Sequence, residues 1–201
     1  MHILSSRFQQ KRKCIVGVLV LVLIISVSLN LYNHFVDIPK TQKTLNNTIV
    51  EVLRRWMSQM MRARNRLESA ETNFDALDAR SYVTRADDYL EICPDVIGYS
   101  LESFYGLMHS STGRLRDALD TIYWRGTSPS GTIIEQNLTQ YELSNIEEIR
   151  QAIDNIHLLM KLENSGVDPV QQLEEEGNLT DIIFSLRKIY FASQDIVLRK
   201  Y

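Results

Sequence analysis

Residues 14–36 contain no Lys, Arg, Asp or Glu, and this 23-residue stretch constrains the chain more than any other feature. Its heart is the apolar run from Ile15 to Ile25. At about 1.5 Å of rise per residue, roughly 20 helical residues cross a hydrocarbon core of about 30 Å. The stretch is therefore expected to be a transmembrane signal-anchor helix in contact with the lipid bilayer. Residues 1–13 carry Arg7, Lys11, Arg12 and Lys13 with no acid, so they are expected to stay in the cytoplasm. Residues 37–201 then form an extracytoplasmic domain of a single-pass cell-membrane protein. Lys40 and Lys43, partly offset by Asp37, oppose that orientation weakly. Tyr32 and His34 suit the membrane interface.

A cleaved signal peptide is the rival reading. Ser26-Val27-Ser28 puts small residues at both specificity positions, and cleavage after Ser28 would release a secreted, soluble helical binding protein. Against cleavage, apolar character continues through Leu29, Leu31, Tyr32, Phe35 and Val36. Serine is also a weaker cleavage-site residue than alanine. A buried core helix is disfavoured by the basic cluster directly before the run.

The chain's net charge is −3, and the basic tail of +4 leaves −7 for the region after residue 36. That is a solubilising acidic surface and not a nucleic-acid footprint. Cys14 and Cys93 lie on opposite sides of the membrane in this topology, so no intrachain disulfide is expected and Cys93 would be a buried thiol. Asn46, Asn137 and Asn178 begin glycosylation sequons by pattern, which chance accounts for in a chain with this much Asn.

The outer region reads as all-α: antiparallel helices built around one long helix. Leu45, Ile49, Val52, Trp56, Met60, Ala63, Leu67, Ala70, Phe74 and Leu77 recur at spacings of 3 and 4, which predicts one helix from about Pro39 to Asp78. Pro39 suits a first helical turn or a kink. Val50, Leu53, Met57 and Met61 widen the apolar face in the middle, which implies two or more neighbours. Beyond Ala63 the face narrows to a coiled-coil-like seam.

A shorter helix is predicted over Ala79–Ile92 and another from Pro94 to about Trp124, with a break at Ser110–Gly113. Gly126–Gly131 is the clearest loop. Ser144 and Glu147 read as a capping box for a helix ending near Gly166. Asp168-Pro169 starts a short helix, and Gly177-Asn178 ends it and caps the last one. No stretch alternates at period two.

No motif carries recognisable catalytic chemistry. His2, His34, His109 and His157 belong to no zinc pattern. Asp154 and His157, three apart on one helix, read as a surface ion pair before a metal pair. Gly98-Tyr99-Ser100-Leu101-Glu102 has Glu where a nucleophile elbow needs its second Gly, in helical context. Ser128–Gly131 lacks the Lys of a P-loop. Asp87, Asp88, Glu91 and Glu174–Glu176 read as solvated faces. No catalytic residue, metal or cofactor is expected, and the chain reads as non-enzymatic; an unrecognised helical enzyme is the minor alternative.

The most suggestive feature is a run of arginines, Arg54, Arg55, Arg62, Arg64 and Arg66, beside Trp56, Met57, Met60 and Met61. The plain reading puts Trp and Met in the core and the arginines around it as solvated or ion-paired groups. The functional readings are an anion or partner-acid contact by Arg54, Arg55, Arg62 and Arg66, or contact with anionic lipid if the helix folds back. The expected function is protein–protein interaction or sensing outside the cytoplasm, through a protein partner or self-association along the long seam.

Overall fold

A computed structural model describes residues 19, 21–91, 104–128 and 130–199. The chain divides into two compact units, Met1–Leu45 and Asn46–Tyr201. Cys14, Cys93 and the Gly98–Glu102 segment lie outside the described residues.

The first helix, α1, spans Leu21–Glu68 and is the one helix among the described residues long and apolar enough to cross a membrane. Within the first unit its apolar side chains from Leu21 to Ile38 are all exposed. Asn33–Asp37 is a π-helical turn. Pro39 explains that turn: it has no N–H, and its ring crowds the carbonyl four residues back, which a wider turn accommodates. The helix continues through Pro39, as a kink would.

The second unit is a helical bundle. Its helices are the later part of α1, α2 (Asn73–Glu91), α3 (Phe104–Arg125), α4 (Gln140–Leu159), the short α5 (Pro169–Glu175) and α6 (Leu179–Leu198). Ile49, Val52, Trp56, Met60, Ala63 and Leu67 are all buried, and Val50, Leu53 and Met57 with them. The wide face meets several neighbours: Trp56 bonds to Thr112 of α3, and Arg64 pairs with Asp154 of α4. The long stripe is therefore consumed by the chain's own core. It is not the free coiled-coil seam for self-association that its period suggested.

The expected single helix from Pro39 to Asp78 ends at Glu68. The break has no Gly or Pro. Asp75 Oδ2 accepts from Glu71 N at 2.9 Å, Thr72 N at 2.8 Å and Thr72 Oγ1 at 3.1 Å, starting α2 afresh. Thr72 also bridges to Asn137, tying the turn to the 126–139 loop. Ala70 belongs to that turn, and Phe74 and Leu77 to α2.

Direction follows from the paired residues. Phe74 packs on Tyr123 while Arg80 pairs with Asp120 and Asp87 with Arg116, so α2 and α3 are antiparallel. Arg64 meets Asp154 while Glu68 meets Arg150, so α1 and α4 are antiparallel. Ser111 bonds to the Leu186 carbonyl, and Arg114 lies over Tyr190, so α3 and α6 run the same way. The bundle is thus mixed rather than wholly antiparallel, with a parallel α3–α6 pair.

Three further boundaries differ from expectation. No break occurs at Ser110–Gly113: α3 runs through it, and Ser110, Ser111 and Thr112 each turn their hydroxyl to the carbonyl four residues back within the helix. The capping box of α4 is Thr139 with Glu142, not Ser144 with Glu147. Helix α4 stops at Leu159 instead of near Gly166. Asp168 does cap α5, accepting from Val170 N and Gln171 N with Pro169 next in line. Asn178 stands at the start of α6 but makes no side-chain cap; its amide donates to the Leu159 carbonyl at 3.2 Å.

Candidate functional site

A cavity of about 600 Å³ forms an open groove in the second unit between α1 and the chain leaving α4. Arg54, Met57, Ser58, Met61, Arg62 and Asn65 form one wall. They recur at helical spacing, so a single face of α1 presents them together. The other wall is His157, Met160, Lys161 and Leu162. It exists because α4 ends at Leu159 and the next residues run back along α1.

The electrostatics of the groove are one-signed. Among the described residues, no carboxylate lines it. Arg54 donates to the Leu162 carbonyl and to Asn164 Oδ1, both neutral, so its charge is positioned without being cancelled. Arg62 and Lys161 are exposed and form no ion pair among the described residues. Met57, Met61, Met160 and Leu162 supply a soft apolar lining beneath these cations. Such a surface suits an elongated ligand with an apolar side and a negative charge.

No protein-family model, curated protein or solved structure matches this chain.

The four arginines singled out by sequence do not act together. Arg54 and Arg62 line the groove. Arg55 points elsewhere and pairs with Glu51 one turn away, a contact that raises its pKa. Arg66 is exposed and lines neither described cavity. Arg64, between them, is structural: it bonds to Asp154 at 2.9 Å and also pairs with Glu68. Asp154 is therefore committed to Arg64, and the surface pair with His157 is replaced by an interhelical one. Trp56 and Met60 are core, as the plain reading required, whereas Met61 is only half-buried and lines the groove.

Sequence reasoning missed Lys161, His157 and Met160 as groove residues. They come from a segment about a hundred positions away, and no local spacing announces that return.

A second cluster surrounds Asp87, which is buried and not the solvated acid its surroundings suggested. His109 Nδ1 lies 3.0 Å from Oδ1, and Arg116 Nη1 lies 2.6 Å from Oδ2. Burial raises the Asp87 pKa, and the charges of His109 and Arg116 pull it back only in part. This set joins α2 to α3. Among the described residues, no three His, Cys, Asp or Glu side chains converge as metal ligands.

A smaller cavity of about 370 Å³ lies among Thr121, Arg125, Tyr141, Glu142 and Arg199. Its charges are already spent: Arg125 pairs with Glu142 and donates to the Asn137 carbonyl at 2.8 Å. Arg199 lies over the Tyr141 ring, 3.8 Å from its centroid.

Proposed function

We propose that this chain is a membrane-anchored, non-enzymatic helical module that engages a protein partner outside the cytoplasm. Residues 14–36 are the anchor, and the basic tail before them holds the N-terminus inside. The groove receives an acidic segment of the partner, its apolar side chains on Met57, Met61 and Met160 and its carboxylates on Arg54, Arg62 and Lys161. The observation that carries this reading is a groove with three uncancelled cations and no lining acid, in a domain whose net charge is negative. A local reversal of sign of this kind favours an acidic ligand against the background charge.

The test is extraction of tagged full-length protein from its native membranes in mild detergent, followed by identification of stoichiometric companions. The expected result is a full-length chain resistant to alkaline carbonate, accompanied by a membrane or envelope protein. The companion is expected to be lost from the Arg62→Glu/Lys161→Glu variant. A mature chain that begins at Leu29 and lacks the membrane fraction would refute anchoring. A companion indifferent to the double charge reversal would refute the groove.

A further inference from the structure

Helix α6 buries Ile182, Leu186, Ile189, Ala192 and Ile196 on its inner side. Its outer side is not the polar face this pattern leads one to expect. Phe184, Phe191 and Leu198 are 59%, 60% and 63% exposed. Their spacing is seven residues each way, so they form one stripe about 21 Å long at helical rise. Arg187, Lys188 and Asp195 stand exposed on the same side. Among the described residues, two aromatic rings and a leucine left exposed along a single helix are an unpartnered surface.

The charge order selects an occupant. We propose that this face pairs with the same face of a second copy of the chain, antiparallel about a twofold axis at Phe191. In a twofold contact, residues equally far before and after the axis meet. Phe191 then meets its own copy. Phe184 meets Leu198, each seven positions from the axis, twice over. Arg187 meets Asp195, each four positions from the axis, again twice. Lys188, whose ammonium already sits 5.0 Å from the Phe184 ring centroid, lies on the same flank as Asp195 of the other copy and adds a second cation beside it. Every apolar residue finds an apolar one and each Asp195 finds an arginine.

A parallel pairing would instead place Arg187 on Arg187 and Asp195 on Asp195, which is repulsive. A bilayer surface would cover the aromatics but would bring Asp195, between Phe191 and Leu198 on the stripe, against acyl chains without a partner. A single-helix seam is smaller than a standard interface of about 1,600 Å². The dimer is accordingly reversible and concentration-dependent.

The test measures the mass of the full chain in mild detergent by light scattering across a concentration series. Wild type is expected to pass from one copy to two. Phe191→Glu, which sets like charges together on the axis, is expected to remain at one copy. Arg187→Asp alone and Asp195→Arg alone are each expected to weaken association about tenfold or more, and the double reversal to restore it to within about threefold. In a Cys14→Ser/Cys93→Ser background, Phe191→Cys is expected to form a disulfide-linked dimer on oxidation, whereas Lys188→Cys is not. All these positions are exposed, and unchanged far-ultraviolet circular dichroism establishes that the variants fold. A wild type of one copy at every concentration overturns the proposal. So does a dimer that survives Phe191→Glu, or a double reversal that fails to restore association. Vesicle binding by a one-copy wild type, lost in Phe191→Glu, would overturn it by assigning the face to the bilayer.

Discussion

The Trp56 indole Nε1 donates to Thr112 Oγ1 across 3.0 Å, in the interior of the bundle where neither residue is exposed. The Thr112 hydroxyl in turn donates a hydrogen bond to the Met108 carbonyl at 2.8 Å, so it serves both helices. Thr112→Val keeps the shape but leaves a buried indole N–H without an acceptor. It is expected to cost about 1–3 kcal/mol. Trp56→Ala also opens a cavity and is expected to cost about 3–5 kcal/mol. Denaturant unfolding in mild detergent, read by circular dichroism, checks both. An unchanged midpoint for Thr112→Val would mean that the bond contributes nothing.

Asp87 makes stability depend on pH in a definite direction. Burial raises its folded pKa above the ordinary 3.8, so the folded state binds this proton more tightly than the unfolded chain does. Its contribution to stability is therefore greatest in acid and declines as pH rises from the ordinary carboxylate range through the raised value. Asp87→Asn is expected to flatten that decline, while weakening the α2–α3 contact because Arg116 loses its counter-charge. Unfolding midpoints measured at several pH values separate the two effects: the first changes the slope and the second the level.

Asp75 behaves oppositely. Burial would raise its pKa, but hydrogen bonds from the Glu71 and Thr72 backbone and from the Thr72 hydroxyl overcome this and lower it. Its stabilising contribution is present above the ordinary carboxylate pKa and disappears as pH falls through the lowered one. Asp75→Ala is expected to cost about 0.5–2 kcal/mol at neutral pH, the range for a lost helix start. The same variant is expected to differ less from wild type in strong acid. A constant difference across pH would rule out the carboxylate as the cause.

What was legible in sequence was local. The Asp168-Pro169 start of α5 depends on residues within one turn and appears as read. The apolar stripe from Ile49 to Leu67 identified a buried face, but the same period suits a bundle core and a free seam equally. The end of α1 at Glu68 was illegible because stripe residues continue past it. What ends the helix is Asp75 gathering backbone N–H groups and Asn73 reaching to a loop some sixty residues away. Ser144 with Glu147 matched the capping pattern as well as Thr139 with Glu142 did, and only the latter uses it. Of the groove, Arg54, Met57, Met61 and Arg62 could be found on α1. The outer stripe of α6 went unread because Phe184, Phe191 and Leu198 lie among stronger core positions.

The five-charge set joining α1 to α4 tests how much surface electrostatics contributes. Arg64 bonds to Asp154 and Glu68, and Arg150 reaches Glu68 at 3.2 Å and Glu147 at 2.5 Å. The two arginines are mostly shielded while the acids are about half exposed. A double-mutant cycle with Arg64→Met and Asp154→Ala is expected to give a coupling of about 0.5–1 kcal/mol, falling with added salt. A coupling that ignores salt would point to packing of the guanidinium rather than its charge.

Gly126 packs closely against Asn73 and the Ile134 carbonyl. The Asn73 side chain is fully buried and donates to the Tyr123 and Ile134 carbonyls at 3.2 Å each, while accepting from Gln136 N at 2.8 Å. It thereby fastens the start of α2 to the end of α3 and to the following loop. A Cβ at Gly126 would lie 2.6 Å from Asn73 Nδ2 and would collide with the Ile134 carbonyl oxygen. Gly126 is needed here for space rather than for its backbone freedom, since it is not among the positive-φ glycines. Gly126→Ala must push the loop backbone away and break the Asn73–Ile134 bond, at an expected cost of about 1–3 kcal/mol. Asn73→Ala removes the side-chain partner of three part-buried backbone groups and is expected to cost at least as much. Because both changes release the same loop, the double variant is expected to lose less than the two single losses combined. Strict additivity in denaturant unfolding would show that the two residues act on different parts of the structure.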